Sequence, residues 1–360
     1  MNHIISQDME ELVKRPGIDW ARLKGSTVLV AGGNSLLGKC LVWLFCYLNE
    51  EKDFGITLYV LVRNLEKAQE SYKAWVGHEY FNILHQDICD PLDMASKGAP
   101  RQIDYLFHFA GSASARLIAQ DPTGIIKANT LGTIRVLDLA RTMQARNVVF
   151  ASTREVYGRL PEDVTLIKET DMGVLDPLLP RNSYPESKKA AEALFVAYTQ
   201  QFGVPSTILR IAHTYGPGMA IDNDGRIMAD IIGAVVRKED IVITSDGTAR
   251  RSFCYITDCL DGMVRAMLSD SGPTGSGPKV FNLANETEPY MIKEVAQMAA
   301  DSFPGLNLKV SLSPEGEGAF KGGYNPLPLV QLDTGRIASL GWKPLVPLQE
   351  GLRRTVASFW

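Results

Sequence analysis

The chain has 360 residues, 45% of them hydrophobic and 22% charged, an ordinary globular composition with enough apolar material for one large domain or two intimate ones. A net charge of -4 without basic blocks leaves no electrostatic footprint for nucleic acid or an anionic membrane, so neither partner is expected. Five cysteines, Cys40, Cys46, Cys89, Cys254 and Cys259, are odd in number and lack metal-ligand spacing, which points to reduced thiols in a cytoplasmic protein and to no metal.

Residues 1–25 read as a leader with one or two short helices, and the opening MNHIISQDMEEL lacks the basic-then-apolar order of a signal peptide. The most apolar run, Leu41 to Leu48, is too short to span a bilayer. From Ser26 the pattern becomes a strand over Thr27 to Ala31, a glycine-rich turn over Gly32 to Gly38 and a helix to about Asn49. Further strands are expected at 56–62, 81–84, 105–109, 147–151 and 206–211, with helices at 122–144 and 183–201. Alternation with helix-length crossovers predicts a parallel sheet covered on both faces, the doubly wound α/β class. Beyond Tyr215 the rhythm loosens. Residues 26–212 therefore read as the sheet domain and 213–360 mainly as a smaller lobe, with chain free to pass back to the sheet. The stretches Gly272 to Pro278 and Pro314 to Pro328 read as mobile surface loops.

A glycine-rich turn between a first strand and a first helix brings backbone amides and a helix N-terminus to a pyrophosphate. Gly32 and Gly38 hold the outer positions of a G-x-x-G-x-x-G spacing, and Ser35 replaces the middle glycine. The second strand would end in an acid if it read the ribose of NAD, but here it reads Leu61-Val62-Arg63-Asn64. Arg63 either meets the 2'-phosphate of NADP or simply faces solvent. Asp87, after the third strand, either accepts an adenine amino group or caps the next helix.

Tyr184 and Lys188 stand four apart at the opening of a long helical segment, so they share a face. A cation under a phenol favours the phenolate and lowers its pKa, which makes the pair a base for a substrate hydroxyl.

Several residues fit one family together: the turn Gly32 to Gly38, His108-Phe-Ala-Gly111, Asn129 in Asn-Thr-Leu-Gly-Thr133, and Ser152 to Gly158. Tyr184 with Lys188, Arg210 to Pro217, and the closing Asp333-Thr-Gly-Arg336 and Leu340-Gly-Trp-Lys-Pro344 complete the set. The chain resembles the extended short-chain dehydrogenase/reductases that modify nucleotide sugars, from about Ser26 onward. The resemblance implies a Rossmann domain with a smaller C-terminal nucleotide-sugar lobe, a tightly held NAD (or NADP, given Arg63), and a homodimer built from two helices per subunit, here 122–144 and 183–201. Within the family the chain looks most like UDP-glucuronate decarboxylases, through Thr153 to Gly158, Pro180-Arg181, Asp224-Gly-Arg226 and Gly247 to Phe253.

Carried over residue by residue, the resemblance implies a cofactor site of Gly32, Asn34, Ser35, Leu36, Leu37, Gly38, Arg63, Asp87, Ile88, Ala110, Gly111 and Asn129, with Tyr184 and Lys188. It implies a substrate site of Ser112, Arg154, Arg181, His213, Arg226 and Arg251. Tyr184, Lys188, Thr153 and Glu155 are the implied catalytic set: oxidation of the sugar at carbon 4, then loss of carbon dioxide from carbon 5 or, as the alternative, re-reduction from the other face as a 4-epimerase. Arg154 stands where 4,6-dehydratases carry an aspartic acid, and an arginine cannot give up a proton at neutral pH, so dehydration is disfavoured. His213 stands where the family usually has asparagine. A sensor that had lost its chemistry would be expected to lose Thr153, Tyr184 or Lys188, and all three are present.

Overall fold

The computed structural model describes residues 1–92, 94, 102–222, 224–270, 277–313 and 331–360. The loops expected at 272–278 and 314–328 lie outside the described residues, apart from Gly277 and Pro278. Seven strands form one parallel sheet: β1 (Thr27–Ala31), β2 (Thr57–Val62), β3 (Phe81–His85), β4 (Tyr105–His108), β5 (Asn147–Thr153), β6 (Ser206–Ile211) and β7 (Lys279–Leu283). Their spatial order is β7-β6-β5-β4-β1-β2-β3, so the chain winds outward in both directions from β1. The strand order reverses between β1 and β4, and in such sheets ligands bind at the carboxyl ends of the strands beside that point.

Alternation along the strands decides which helices cover which face. Val28, Val30, Leu58, Val60, Val62 and Phe107 point into one apolar cluster, with helix α1 (His3–Val13), α2 (Leu36–Lys52) and α6 (Ile256–Leu268). Leu29, Ala31, Tyr59, Leu61 and Leu106 point into the other, against α3 (Pro122–Thr142) and α4 (Ser183–Phe202). A parallel sheet buried on both faces in this way reads as near-continuous apolar sequence. Local chemistry sets the helix ends. Asp121 accepts from the Gly124 amide at 2.8 Å with Pro122 at the first helical position of α3, and α4 stops at Gly203 in the left-handed region, φ 69°.

Two features depart from the linear reading. Strand β7 and helix α6, both far beyond Tyr215, return to complete the sheet and its cover. The segment read as a leader is a built part of the molecule: Met9 and Leu12 of α1 and Leu23 are buried in the larger cluster. Its polar side is held as firmly. Asp8 accepts from the Tyr255 hydroxyl at 2.6 Å and from Arg354 at 2.8 Å, and Arg354 also meets Glu11 and Glu350; Arg15 pairs with Asp258 at 2.8 Å. Helix α5 (Ile227–Arg237), α7 (Ile292–Asp301) and α8 (Leu348–Ala357) pack together beside it.

Candidate active site

Between β1 and α2 the turn is tight. Gly32 has φ +94°, and a Cβ there would lie 2.5 Å from the Phe109 carbonyl carbon, so the turn abuts the end of β4 backbone to backbone. A Cβ on Gly38 would lie 2.3 Å from the Gly32 carbonyl oxygen. Ser35 fits in place of a third glycine because its hydroxyl is engaged twice. Its Oγ accepts from the Gly38 amide at 3.1 Å, capping α2, and donates to the Gly32 carbonyl at 2.8 Å. Leu36 and Leu37 open the helix. Beneath the turn the Tyr72 hydroxyl donates to the Gly33 carbonyl, a support with no signature in the sequence pattern.

Around this turn lie groups with unspent capacity. The Asn34 amide nitrogen donates to the Asn64 carbonyl at 2.8 Å, and its Oδ1 is buried with no partner among the described residues. Gly111, at φ +125°, brings its backbone against Asn129, whose Oδ1 is likewise buried and unpartnered among the described residues. A buried acceptor without a donor is costly, and a ribose or amide N–H or O–H from a ligand would satisfy both. The residues present therefore fit a dinucleotide. Ala110 and Gly111 lead from β4 to Ser112, whose hydroxyl accepts from the Ser114 amide at 3.1 Å. Ile88 packs under Gly132 of α3. The Asp87 carboxylate accepts from the Cys89 amide at 2.9 Å in a short turn, and among the described residues it caps no helix, unlike the capping role expected as one of its two readings. Arg63 is exposed at the end of β2.

Strand β5 ends at Thr153 and passes into a single helical turn, Arg154–Tyr157. The Thr153 hydroxyl accepts from the Glu155 amide at 3.2 Å and is hydrogen-bonded to the phenol of Tyr184, which α4 carries into the cleft. Both side chains are buried. Burial first, and then the Glu155 charge, push the Tyr184 phenol above its ordinary range; the Thr153 bond and the charges of Arg226 and Arg181 pull the other way. Lys188 lies one helical turn on. Its ammonium donates to the Ala151 carbonyl at 2.7 Å, sits over the Phe150 ring at 4.5 Å, and is 6.0 Å from the Tyr184 ring centroid. Burial pushes it down to about 7. The shared face expected from the spacing is present, but the expected lowering of the phenol is not, because desolvation of a fully enclosed ring outweighs a cation that points elsewhere.

A polar chain runs behind the pair. Asn129 Nδ2 donates to Ser187 Oγ at 2.9 Å, and Ser187 Oγ donates to the Tyr184 carbonyl at 2.9 Å, tying α3 to the first turn of α4. Glu192, one turn beyond Lys188, accepts from Ser152 Oγ at 2.5 Å and from Arg210 at 2.7 and 3.0 Å, fixing β5 and β6 to α4. The i,i+4 spacing from Lys188 to Glu192 was the available signal for it.

Across the cleft, Arg181 pairs with Glu155 at 2.8 Å. Arg226 forks onto Asp224, and Arg251 donates to the Arg250 carbonyl at 2.7 Å. His213, held at φ +47°, is exposed and lies near the charges of Arg154, Arg251 and Arg226. Arg154 itself lies near the charges of Glu286 and Glu155. Ser112 remains on the β4 side, at the start of the loop that carries Ser114 to the Asp224 carbonyl at 2.8 Å.

The model of the NAD dependent epimerase/dehydratase family matches residues 28–284. The chain is 32% identical over 328 residues to UDP-glucuronic acid decarboxylase 3 of Arabidopsis thaliana, covering 90% of this chain and 86% of that one. It is 33% identical over 335 residues to UDP-glucuronic acid decarboxylase 1 of Xenopus tropicalis, covering 92% and 72%. Among solved structures, UDP-glucuronic acid 4-epimerase from Bacillus cereus, in complex with UDP-glucuronic acid and NAD, superposes with a TM-score of 0.74 at 21% identity, over 92% of this chain and 98% of that one.

Proposed function

The chain belongs to the NAD dependent epimerase/dehydratase family, and from that premise we propose that it decarboxylates UDP-glucuronate through transient oxidation at carbon 4. The observation that carries the reading is the arginine set around the two groups: the charges of Arg226 and Arg181 act on Tyr184, and those of Arg154, Arg251 and Arg226 on His213, so Arg226 is common to both. A sugar nucleotide with a carboxylate brings a diphosphate and a further anion to one site, and such a cluster complements all three charges.

Held by the turn Gly32 to Gly38 with Asn34 and Asn129, NAD would supply the hydride chemistry at carbon 4. Tyr184 takes the proton of the 4-hydroxyl, and Thr153 donates a hydrogen bond to the same oxygen. A ketone at carbon 4 is β to the carboxylate on carbon 5, so loss of carbon dioxide leaves an enolate whose charge falls on the oxygen held by Tyr184 and Thr153. Glu155, oriented by Arg181, positions a water that delivers the proton carbon 5 of the enolate needs, and return of the hydride to carbon 4, with the proton from Tyr184 to its oxygen, leaves a pentose. Protonated Lys188 favours the phenolate whenever it turns toward the ring.

Residues 213–360 mainly supply the nucleotide-sugar lobe, through His213, Arg226 and Arg251. Homodimerisation through α3 and α4 is supported by Ile126, Leu131 and Val196, apolar side chains left exposed on two adjacent helices. Five free cysteines fit the reducing cytoplasm.

The test is incubation with UDP-glucuronate and measurement of released carbon dioxide. Release with a pentose product supports the reading; inversion at carbon 4 without release would overturn it in favour of an epimerase.

A further inference from the structure

His213 is held in the left-handed region at φ +47°, in the part of the site that the proposed function gives to the nucleotide sugar. For a residue other than glycine such a conformation persists where the surrounding structure imposes it. Its carbonyl accepts from the Cys254 amide at 3.2 Å, beside a short parallel ladder in which Cys254 faces Thr214 and Tyr255 faces Tyr215. Arg251 leads into the same ladder three positions before Cys254.

A file of rings runs back from this wall. His213 and Phe253 lie 5.8 Å apart between centroids, Phe253 meets Tyr215 edge-on at 6.3 Å, and Tyr215 meets Tyr255 edge-on at 5.6 Å. Close-packed edge contacts fix the angle of each ring on the next, so a shift at one end is passed along. The far end is tied to the two chain termini. The Tyr255 phenol donates to the Asp8 carboxylate of α1 at 2.6 Å, both residues being buried, and the Tyr215 phenol donates to the Leu348 carbonyl at the start of α8 at 3.2 Å. A Cβ on Gly351 of α8 would lie 2.1 Å from the Tyr215 hydroxyl oxygen and 2.8 Å from Tyr255 Cδ2, so that helix presses on both rings. Helices α1 and α8 both lie outside the residues that the family model matches.

A phenol on a carboxylate makes a short, charge-assisted bond, and a buried phenol deprived of its acceptor keeps an unsatisfied hydroxyl. We propose that Asp8, acting through Tyr255, is a positioning residue for the nucleotide diphosphate of the substrate: the N-terminal helix holds the ring file, and the file holds His213 and Arg251 where the nucleotide meets them. This rests on the reading of those two residues as nucleotide-sugar contacts. The tie bears on binding more than on chemistry, because Thr153 and Tyr184 are carried by β5 and α4 and the dinucleotide turn follows β1. Asp8 also pairs with Arg354 at 2.8 Å, so loss of that ion pair has to be separated from loss of the phenol's acceptor.

Calorimetric titration of nucleotide-stripped protein with UDP and with NAD, well below the melting temperature, separates them. Asp8→Asn keeps an oxygen for the phenol and loses the charge that pairs with Arg354; Asp8→Ala loses both; Tyr255→Phe loses only the phenol's bond. Asp8→Ala and Tyr255→Phe should each weaken UDP by about threefold to tenfold, the worth of one hydrogen bond, and raise KM for UDP-glucuronate with kcat and NAD affinity little changed. Either variant suffices if the other fails to fold. Asp8→Asn should bind UDP within about twofold of the natural chain, although its melting temperature falls as that of Asp8→Ala does. UDP affinity that follows melting temperature across the three variants, or that is unchanged in Asp8→Ala and Tyr255→Phe, would overturn the positioning role and leave the proposed function standing. A natural chain that binds NAD but not UDP would overturn both.

Discussion

The Lys188 ammonium lies 6.0 Å from the Tyr184 ring centroid, and its hydrogen bond goes to the Ala151 carbonyl at 2.7 Å. Two buried groups that each resist ionisation thus share a helix face, the phenol pushed up and the ammonium pushed down to about 7. Neither charged form is favourable alone. A phenolate and an ammonium there would stabilise each other only as a pair, so in the proposed reaction removal of the substrate proton would be coupled to the charge on Lys188.

Tyr184→Phe removes the proton acceptor while keeping the ring that packs against Ile118 and Ile125. Carbon dioxide release should fall by about a hundredfold to ten-thousandfold, the usual contribution of a general base, with the melting temperature little changed. Undiminished turnover would show that another group takes the proton.

Lys188 sets a pH dependence of stability. Its folded pKa is about 7 against an ordinary 10.5, so between those values the unfolded chain binds more protons than the folded one. Stability contributed by this group therefore rises with pH from about 7 to about 10.5, and the burial cost is fully present below 7. Lys188→Met should flatten that slope in urea titrations run at several pH values and should abolish activity. A slope identical in the two proteins would mean that the ammonium is not desolvated.

The Glu155 charge raises the Tyr184 phenol, and Arg181 opposes it. Arg181→Gln should move the ascending, acidic limb of the kcat/KM profile to higher pH, by less than about one unit because the ion pair is partly exposed. Its KM for UDP-glucuronate should rise as well. A profile unmoved in pH would remove Arg181 from any influence on the phenol.

Arg354 joins Asp8, Glu11 and Glu350, and its loss leaves the Asp8 carboxylate buried without its cation. Arg354→Met should cost about 3–5 kcal/mol in denaturant unfolding, as for a broken buried pair. Adding Asp8→Asn should cost less than the two single changes summed. Strict additivity would mean the two side chains do not act on each other.

Ile126→Glu combined with Val196→Glu places charge on exposed apolar positions of α3 and α4. Sedimentation should show a dimer for the natural chain and a monomer for the double variant. A natural chain that sediments as a monomer would remove these positions as an interface.

Much of the fold was legible because apolar alternation has local causes. The strand at 206–211 and the helix from Ser183 came from period and turn chemistry alone, and the turn Gly32 to Gly38 announced itself by spacing and by its place after the first strand. Strand β7 was not legible as a sheet strand, since nothing local in Lys-Val-Phe-Asn-Leu says that it pairs with β6 after a long excursion. The short helices of residues 1–25 were legible, but not what they pack against: Asp8 and Arg354 are 346 positions apart, and their contact has no signature in either segment.

By itself the sequence determined the α/β order, the glycine turn and the identity of the groups Thr153, Glu155, Tyr184 and Lys188, because residue type and short spacing carry that information. Only the tertiary structure decided the electrostatic setting of Tyr184 and Lys188. Enclosure by distant chain raises the Tyr184 phenol and lowers Lys188, whatever their spacing suggests, since desolvation depends on everything packed around a group. It also decided that Arg181 and Arg226 act on Tyr184 while Arg154, Arg226 and Arg251 act on His213, arginines that the sequence sets up to 97 positions apart.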